Sequence, residues 1–267
     1  MNDRWKERGL EMAKGSSIVV ADQKDIASYD VLADGVEQIR AIIQANIGTT
    51  EIGVFDLPRA INPSGSGSKW EIPGLGDEAE TVGTVEGIIV YHDEDRSYWA
   101  KSYYETGGGE QPDCRGAKDE NGVWHGTGTP GGICVKCPNS EFTKDSEGNT
   151  VPPRCPVFRK VFLLRPNQMM PTMFTARGGN AQQVSQYLMK LTFQGKLPAH
   201  HCITQMKMES TKYKSGRDWK KWNLSFVAEL PDEAKAQMDD FNKMLRPMLE
   251  KVEVTQAEVQ GKDEEPF

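Results

Sequence analysis

The sequence predicts a mainly β protein with added helices, organised as a five-stranded Greek-key barrel that carries an inserted four-cysteine zinc subdomain. Three observations point there. From residue 81 onward, β-branched and aromatic runs follow in the order strand, strand, strand, helix, strand, strand. Between the second and third runs, residues 114–156 are poor in apolar side chains, rich in Gly and Pro, and hold four of the five cysteines. The composition, 37% hydrophobic and 27% charged over 267 residues, suits a folded body with long polar connections.

Residues 1–80 read as an N-terminal arm and an accessory helix. Met1–Arg8 mixes both charges and leads into no apolar run of signal-peptide or membrane-span length. The expectation is an intracellular protein without a membrane partner, in a bacterial or phage-infected cytoplasm. Residues 1–25 show no sustained period. Leu32, Val36, Ile39 and Ile43 then fall on one face of a 3.6-residue period, with Gly48 as a stop. Residues 63–68 are a flexible loop by composition, and Trp70-Glu71-Ile72 is a short strand.

Residues 81–230 carry the barrel. Val82 to Tyr91 forms the first strand, His92-Asp93-Glu94-Asp95 a hydrophilic hairpin tip, and Ser97 to Tyr104 the second strand. Val157–Leu164 is the third strand, with a further piece near Met173–Thr175. A helix follows, with Asn180 as N-cap, Val184, Tyr187, Leu188 and Leu191 as its apolar stripe, and Gly195 as its end. Strands near Cys202–Met206 and Trp219–Val227 complete the order, which is that of an OB-fold, whose face and loops bind oligonucleotides and oligosaccharides. Residues 231–254 keep a helical period through Ala234, Met238, Phe241, Leu245 and Val252, with Pro247 as a kink or end. Residues 255–267 read as a disordered acidic tail.

Cys114, Cys134, Cys137 and Cys155 are spaced C-x19-C-x2-C-x17-C. Four thiolates suit tetrahedral zinc, and the two-residue gap lets both sulfurs of a tight turn face one ion. A Gly/Pro-rich segment without a core needs such a staple, so structural Zn2+ is the expected cofactor. Two alternatives stay open: unligated surface thiols, or His125 in place of an outer cysteine. Cys202 reads as a small buried hydrophobe. A catalytic deaminase zinc would need a Glu and a Pro where Gly116 and Ile133 stand.

The net charge of −7 hides a segregation along the chain: residues 157–230 hold 12 Lys+Arg against 3 Asp+Glu. One surface is thereby prepared for a polyanion. Strand alternation places Trp99, Lys101 and Tyr103 on one face, where rings stack on bases and the lysine meets phosphate. In the third strand Phe158 and Lys160 alternate with Arg159, so either face carries a cation. In the loop between the last two strands, Lys212, Tyr213, Lys214, Arg217, Trp219 and Lys221 mix cations with aromatics. A plain solvated hairpin tip would also explain those lysines.

The last residues, Lys262-Asp263-Glu264-Glu265-Pro266-Phe267, resemble the C-terminal tip of bacterial single-stranded DNA-binding proteins, a short acidic run closed by Pro-Phe. Phe267 must be last for its ring and α-carboxylate to be captured together. The body over 81–230 is similar in architecture to the T4-type phage single-stranded DNA-binding proteins, an OB-fold with a zinc-bound subdomain. That type uses three Cys and one His where four Cys are available here, so its ligand set is not carried over. The resemblance implies single-stranded DNA coating without a reaction. It also implies recruitment of replication, recombination or repair proteins through Asp263, Glu264, Glu265, Pro266 and Phe267. Two other readings compete: a metal-dependent nuclease using His92–Asp95 or the His200-His201 pair, and a zinc-ribbon adaptor that touches only proteins. With 10 Asp+Glu against 5 Lys+Arg after residue 230, the acidic end is expected to fold over the basic barrel.

Overall fold

The β-branched and aromatic residues from Thr84 to Tyr98 form one strand of fifteen residues, not a hairpin of two. The expected break at His92–Asp95 does not occur because the strand opposite supplies cations. Lys160 faces Asp93 and Asp95, at 3.8 and 3.5 Å, and Arg159 pairs with Glu94. Charges that read as a solvated tip are instead compensated inside a ladder.

The computed structural model describes residues 19–260 apart from 30, 31, 33, 34, 49–56, 64–66, 75–77, 108, 109, 149 and 213–217. In chain order it contains helices α1 (Gln23–Ile26) and α2 (Val36–Ile47), then strands β1 (Arg59–Ala60), β2 (Trp70–Ile72), β3 (Glu80–Val82) and β4 (Thr84–Tyr98). Helix α3 (Tyr103–Thr106) leads to small strands β5 (Cys114–Lys118), β6 (Trp124–Gly128), β7 (Gly132–Ile133), β8 (Thr143–Lys144) and β9 (Thr150–Val151). The rest is β10 (Val157–Leu164), β11 (Thr172–Arg177), α4 (Gly179–Lys190), β12 (Cys202–Lys212), β13 (Asp218–Glu229), α5 (Asp232–Leu249) and α6 (Gln256–Gln260).

Length lets β4 serve three neighbours. It pairs antiparallel with β12 through Thr84–Ile88, with β10 through Ile88–Arg96, and with β5 through Arg96–Tyr98. Gly87 sits where β4 passes from one partner to the other; a Cβ there would lie 2.3 Å from the Leu164 carbonyl oxygen. The result is a nine-stranded mixed sheet running β1-β11-β10-β4-β5-β6-β7, with β12 also on β4 and β13 on β12. Among the described residues β11 and β13 do not pair, so the sheet does not close into the expected barrel. Helix α4 and the Trp70 ring lie between those strands. Trp70 packs edge-on against Phe174 of β11 and Trp222 of β13, at 5.5 and 5.4 Å. Asn180 does not cap α4, whose N-cap is Gly178. Its side chain instead donates to the Lys220 carbonyl and accepts from the Trp222 N–H.

Two apolar cores flank the sheet. One joins Trp70, Ile72, Phe174, Val184, Tyr187 and Trp222 under α4. The other packs Ile39 and Ile43 of α2 and Met238, Phe241 and Leu245 of α5 against Ile88, Phe158 and Phe162. Ile39 and Ile43 of α2 and Ala234, Met238, Phe241 and Leu245 of α5, members of the periods read there, are buried, and Gly48 ends α2 in the left-handed conformation at φ 74. Pro247 does not end α5, which runs through it to Leu249. Nor is the segment after residue 254 loose up to 260: Val254, Gln256 and Val259 are buried, and α6 docks near β11. At the other end Val20 bridges to Glu229, so part of the expected arm is tied to β13. No helix of the described residues is long and apolar enough to cross a membrane.

Candidate nucleic-acid interface and metal centres

In the insertion, β5 extends the main sheet from the end of β4, and β6 and β7 follow it outward. Two 3₁₀ turns, Cys134–Lys136 and Pro138–Ser140, hold the C-x2-C pair, with the Ser140 hydroxyl donating to the Cys134 and Cys137 carbonyls. Cys114, Cys134, Cys137 and Cys155 line one cavity of about 10 Å³, beside Arg96, Tyr98 and four Gly or Pro residues. Glycine is required there. A Cβ on Gly126 would lie 2.8 Å from the Cys114 sulfur, and one on Gly116 3.2 Å from the Cys134 sulfur. His125 does not line this cavity; its ring meets Asp119 at 3.1 Å.

The donor set fits zinc in number and chemistry, but the sulfurs stand wider than a bound ion would hold them. Zn–S bonds of about 2.3 Å put tetrahedral sulfurs roughly 3.8 Å apart. No three of these thiols fall within 4.8 Å of one another. Burial pushes the Cys155 thiol up to about 12, against the pull of Arg96. Cys202 lies buried in β12, as expected of a small hydrophobe.

The residues expected to meet nucleic acid separate into three groups. The first is internal. Trp99 lies past the end of β4, buried, with its indole N–H donating to the Glu110 carbonyl at 3.0 Å. Lys101 and Tyr103 follow in a bend and in α3, so these three do not share a strand face. Phe158 is fully buried, and Lys160, 2% exposed, donates to the Val252 carbonyl at 3.0 Å. Arg159 is held by His92 and Glu94. Alternation in β10 thus turns Phe158 and Lys160 towards α5 and the C-terminal segment, a packing that no local pattern announces.

The second group stands on the β12–β13 ribbon. β4 covers β12 only as far as Lys207, whereas β12 and β13 stay paired out to Lys212 and Asp218. Register places Lys207 opposite Asn223, Glu209 opposite Lys221 and Thr211 opposite Trp219, so these pairs share one face. Lys212 is exposed, while Trp219 and Lys221 are half-buried, with Trp219 close against Gly179. The third group, Tyr213, Lys214, Arg217 and the tip Asp263–Phe267, lies outside the described residues.

No family model, curated protein or solved structure matches this chain. The site therefore rests on its own geometry.

Three features escaped the sequence reading. Residues 252–260 form a strap that touches β10, β5, β1 and β11 in turn. Glu253 pairs with Arg115, Glu258 with Arg59 at 2.7 Å, and the Val259 carbonyl accepts from Arg177 at 2.9 Å. Exposed rings stand at Phe142 and Phe193, both 70% accessible, the latter on a π-turn, Leu191–Gly195, that continues α4. A cleft of about 570 Å³ opens between that turn, β4 and α5, lined in part by His92, Glu94, Arg159, His200 and Arg246. Burial, then Arg159, lowers the His92 pKa to about 4. Burial opposes the Glu94 charge, yet Lys118 and Arg159 hold its carboxyl below the usual range.

At the edge of that cleft, His200 and His201 sit on a 3₁₀ turn, Ala199–His201, facing α5. Each Nε2 lies 2.9 Å from the same oxygen, Asp239 Oδ1. Burial lowers the His200 pKa, with Asp239 pulling the other way. Among the described residues these three are the group whose ligand atoms lie within 4.8 Å of one another. The His-His pair was visible in the sequence, but Asp239, on the polar side of a helix 38 residues away, was not.

Proposed function

We propose that this chain binds single-stranded DNA without catalysing a reaction, and that its acidic Pro-Phe tip recruits replication, recombination or repair proteins. The observation that carries the reading is the β12–β13 ribbon. It runs on beyond its pairing with β4, bearing Lys212, Lys221 and Trp219, with Lys207 at its root already paired to Glu209 at 2.7 Å and its β13 side tied to α4 through Asn180. Cations on such a ribbon meet phosphates, and a ring beside them offers a stacking surface. The path β11-β10-β4-β12-β13, with α4 between β11 and β12, supports the reading of an OB-fold opened between its third and fifth strands. In this reading Cys114, Cys134, Cys137 and Cys155 hold structural Zn2+, which fixes the insertion and takes no part in chemistry.

The nuclease reading loses support at His92–Asp95. Asp93, Glu94 and Asp95 face Lys160, Lys118 and Arg159, so their charges are already balanced. The strap sharpens the expected competition by the acidic end. It occupies Arg59, Arg115 and Arg177, cations that would otherwise be open to phosphates.

The test is a fluorescence titration with oligo-dT across salt concentrations, beside oligo-rU and duplex. Tryptophan quenching and a falling affinity with salt are expected. Each lysine that neutralises a phosphate of a single strand adds about 0.7 to the log–log salt slope, so Lys212→Ala with Lys221→Ala lowers it by roughly 1.4. Absence of quenching and of salt dependence would overturn the reading. Deleting 261–267 is expected to leave oligonucleotide binding in place while partner capture disappears.

A further inference from the structure

Adjacent residues on a 3₁₀ turn differ by about a third of a turn, so two neighbouring side chains ordinarily diverge. His200 and His201 instead converge: their ring centroids are 4.5 Å apart at 76°, and both Nε2 atoms reach Asp239 Oδ1 at 2.9 Å. A carboxylate oxygen only accepts, so two N–H donors share one acceptor. Two imidazoles and one carboxylate aimed at a common point make a donor set suited to a borderline divalent ion.

We propose that His200, His201 and Asp239 form a binding site for a divalent transition metal ion of the Zn2+, Co2+ or Ni2+ class, separate from the cysteines. Each neutral imidazole shifts its proton from Nε2 to Nδ1, which frees both Nε2 lone pairs to hold the ion together with the carboxylate. Metal–ligand bonds of about 2.0–2.2 Å at tetrahedral angles put N and O roughly 3.4 Å apart. The observed 2.9 Å separations therefore open by about half an ångström, which side-chain torsions supply. The side chains are 23%, 16% and 43% exposed, so an ion can enter without unfolding the body. Three protein donors leave a fourth position for water. Because His200 also lines the 570 Å³ cleft, an ion here would stand at its edge. It would also tie the turn before β12 to α5, two elements otherwise joined by packing and these hydrogen bonds.

The experiment titrates metal-stripped full-length protein with Co2+ and follows the absorption spectrum. Thiolate ligation gives a near-ultraviolet charge-transfer band, whereas an imidazole–carboxylate site gives visible d–d bands without it. The expected result in the wild type is two components of uptake, one carrying the thiolate band and one without it, the second weakened at least about tenfold in Asp239→Asn and His201→Gln. Any thiolate band should be unchanged by either substitution. Asparagine keeps the size and the acceptor of Asp239, so circular dichroism should show the variant folded, and Ni2+ should raise the melting temperature of the wild type alone. Retention of the non-thiolate uptake in folded Asp239→Asn would overturn the proposal. So would uptake that is wholly thiolate-linked in the wild type.

Discussion

Strands β10 and β5 flank the same strand, β4, yet the force holding each in place is different. β10 buries Phe158, Val161, Phe162, Leu163 and Leu164 completely, splitting them between two cores beneath α4 and α5. Burying side chains of that kind contributes about 1.5–3 kcal/mol each, so β10 needs nothing but its neighbours. β5 offers Cys114 and Gly116 to its inner side, and its whole apolar cluster is Tyr98, Cys114 and Cys155. One sheet thus passes from a region held by apolar area to one with almost none, folded on tight turns around four free, mostly buried thiols. The hydrogen-bond ladder is common to both, which teaches that a ladder alone does not decide where cohesion comes from.

The strongest way to break this contrast is to disable the thiols. Cys134→Ser, or a chelator on the metal-loaded protein, is expected to abolish amide-exchange protection across 114–156 while β10 to β13 keep theirs. In the proposed zinc site a binding free energy of about 10–16 kcal/mol, as in small structural sites, would stabilise an insertion with so little core. Protection vanishing equally from β10 would show that the two regions share one source of stability.

The complementary change strikes the body. Trp70→Ala removes a fully buried ring that packs on Phe174 and Trp222 where β11 and β13 fail to pair. A cost of about 3–5 kcal/mol is expected in denaturant unfolding. Trp70→Phe should cost much less, because the indole Nε1 has no hydrogen-bond partner among the described residues. Equal costs in the two variants would mean that the N–H, not the ring, is what the site requires.

The contrast also explains what was legible in the sequence. Periodic apolar residues marked α2, α4, α5 and β10, because burial writes itself as a period of 3.6 or 2. Residues 114–156 were set apart by lacking such a period. Long-range charge pairing has no local signature. Asp93 to Asp95 read as a turn because Lys160, Arg159 and Lys118 lie 24 to 67 positions away. For the same reason Lys160 and Arg159 read as available to a polyanion, and residues 255–260 as free. Glu258 meets Arg59, 199 positions back, and the Val259 carbonyl meets Arg177, 82 back, so only the folded chain reveals them.

The finest test concerns a buried group of the body that has no counterpart in the insertion. His92 accepts from Arg159 at 3.2 Å, and Glu94, Arg246 and His200 also face it. Its pKa is lowered from 6.5 to about 4, by burial first and then by Arg159. Between those values the unfolded chain takes up a proton that the folded chain refuses, so stability falls as pH drops from about 6.5 to 4 and levels off below. At about 1.4 kcal/mol per unit, the decrease approaches roughly 3 kcal/mol. The carboxylates Glu94 and Asp239, both held below their usual range, lose their contribution only at lower pH, while Asp95, raised by burial against the pull of Lys160, takes up its proton first in the folded chain and offsets part of the fall. His200, lowered in the same direction, adds a smaller slope. His92→Asn keeps an acceptor for Arg159 and removes the titration. Its denaturation midpoint is therefore expected to be flatter than that of the wild type between about pH 6.5 and 5. An unchanged slope would move the protonation to another residue and return His92 to the neutral packing of the cleft wall.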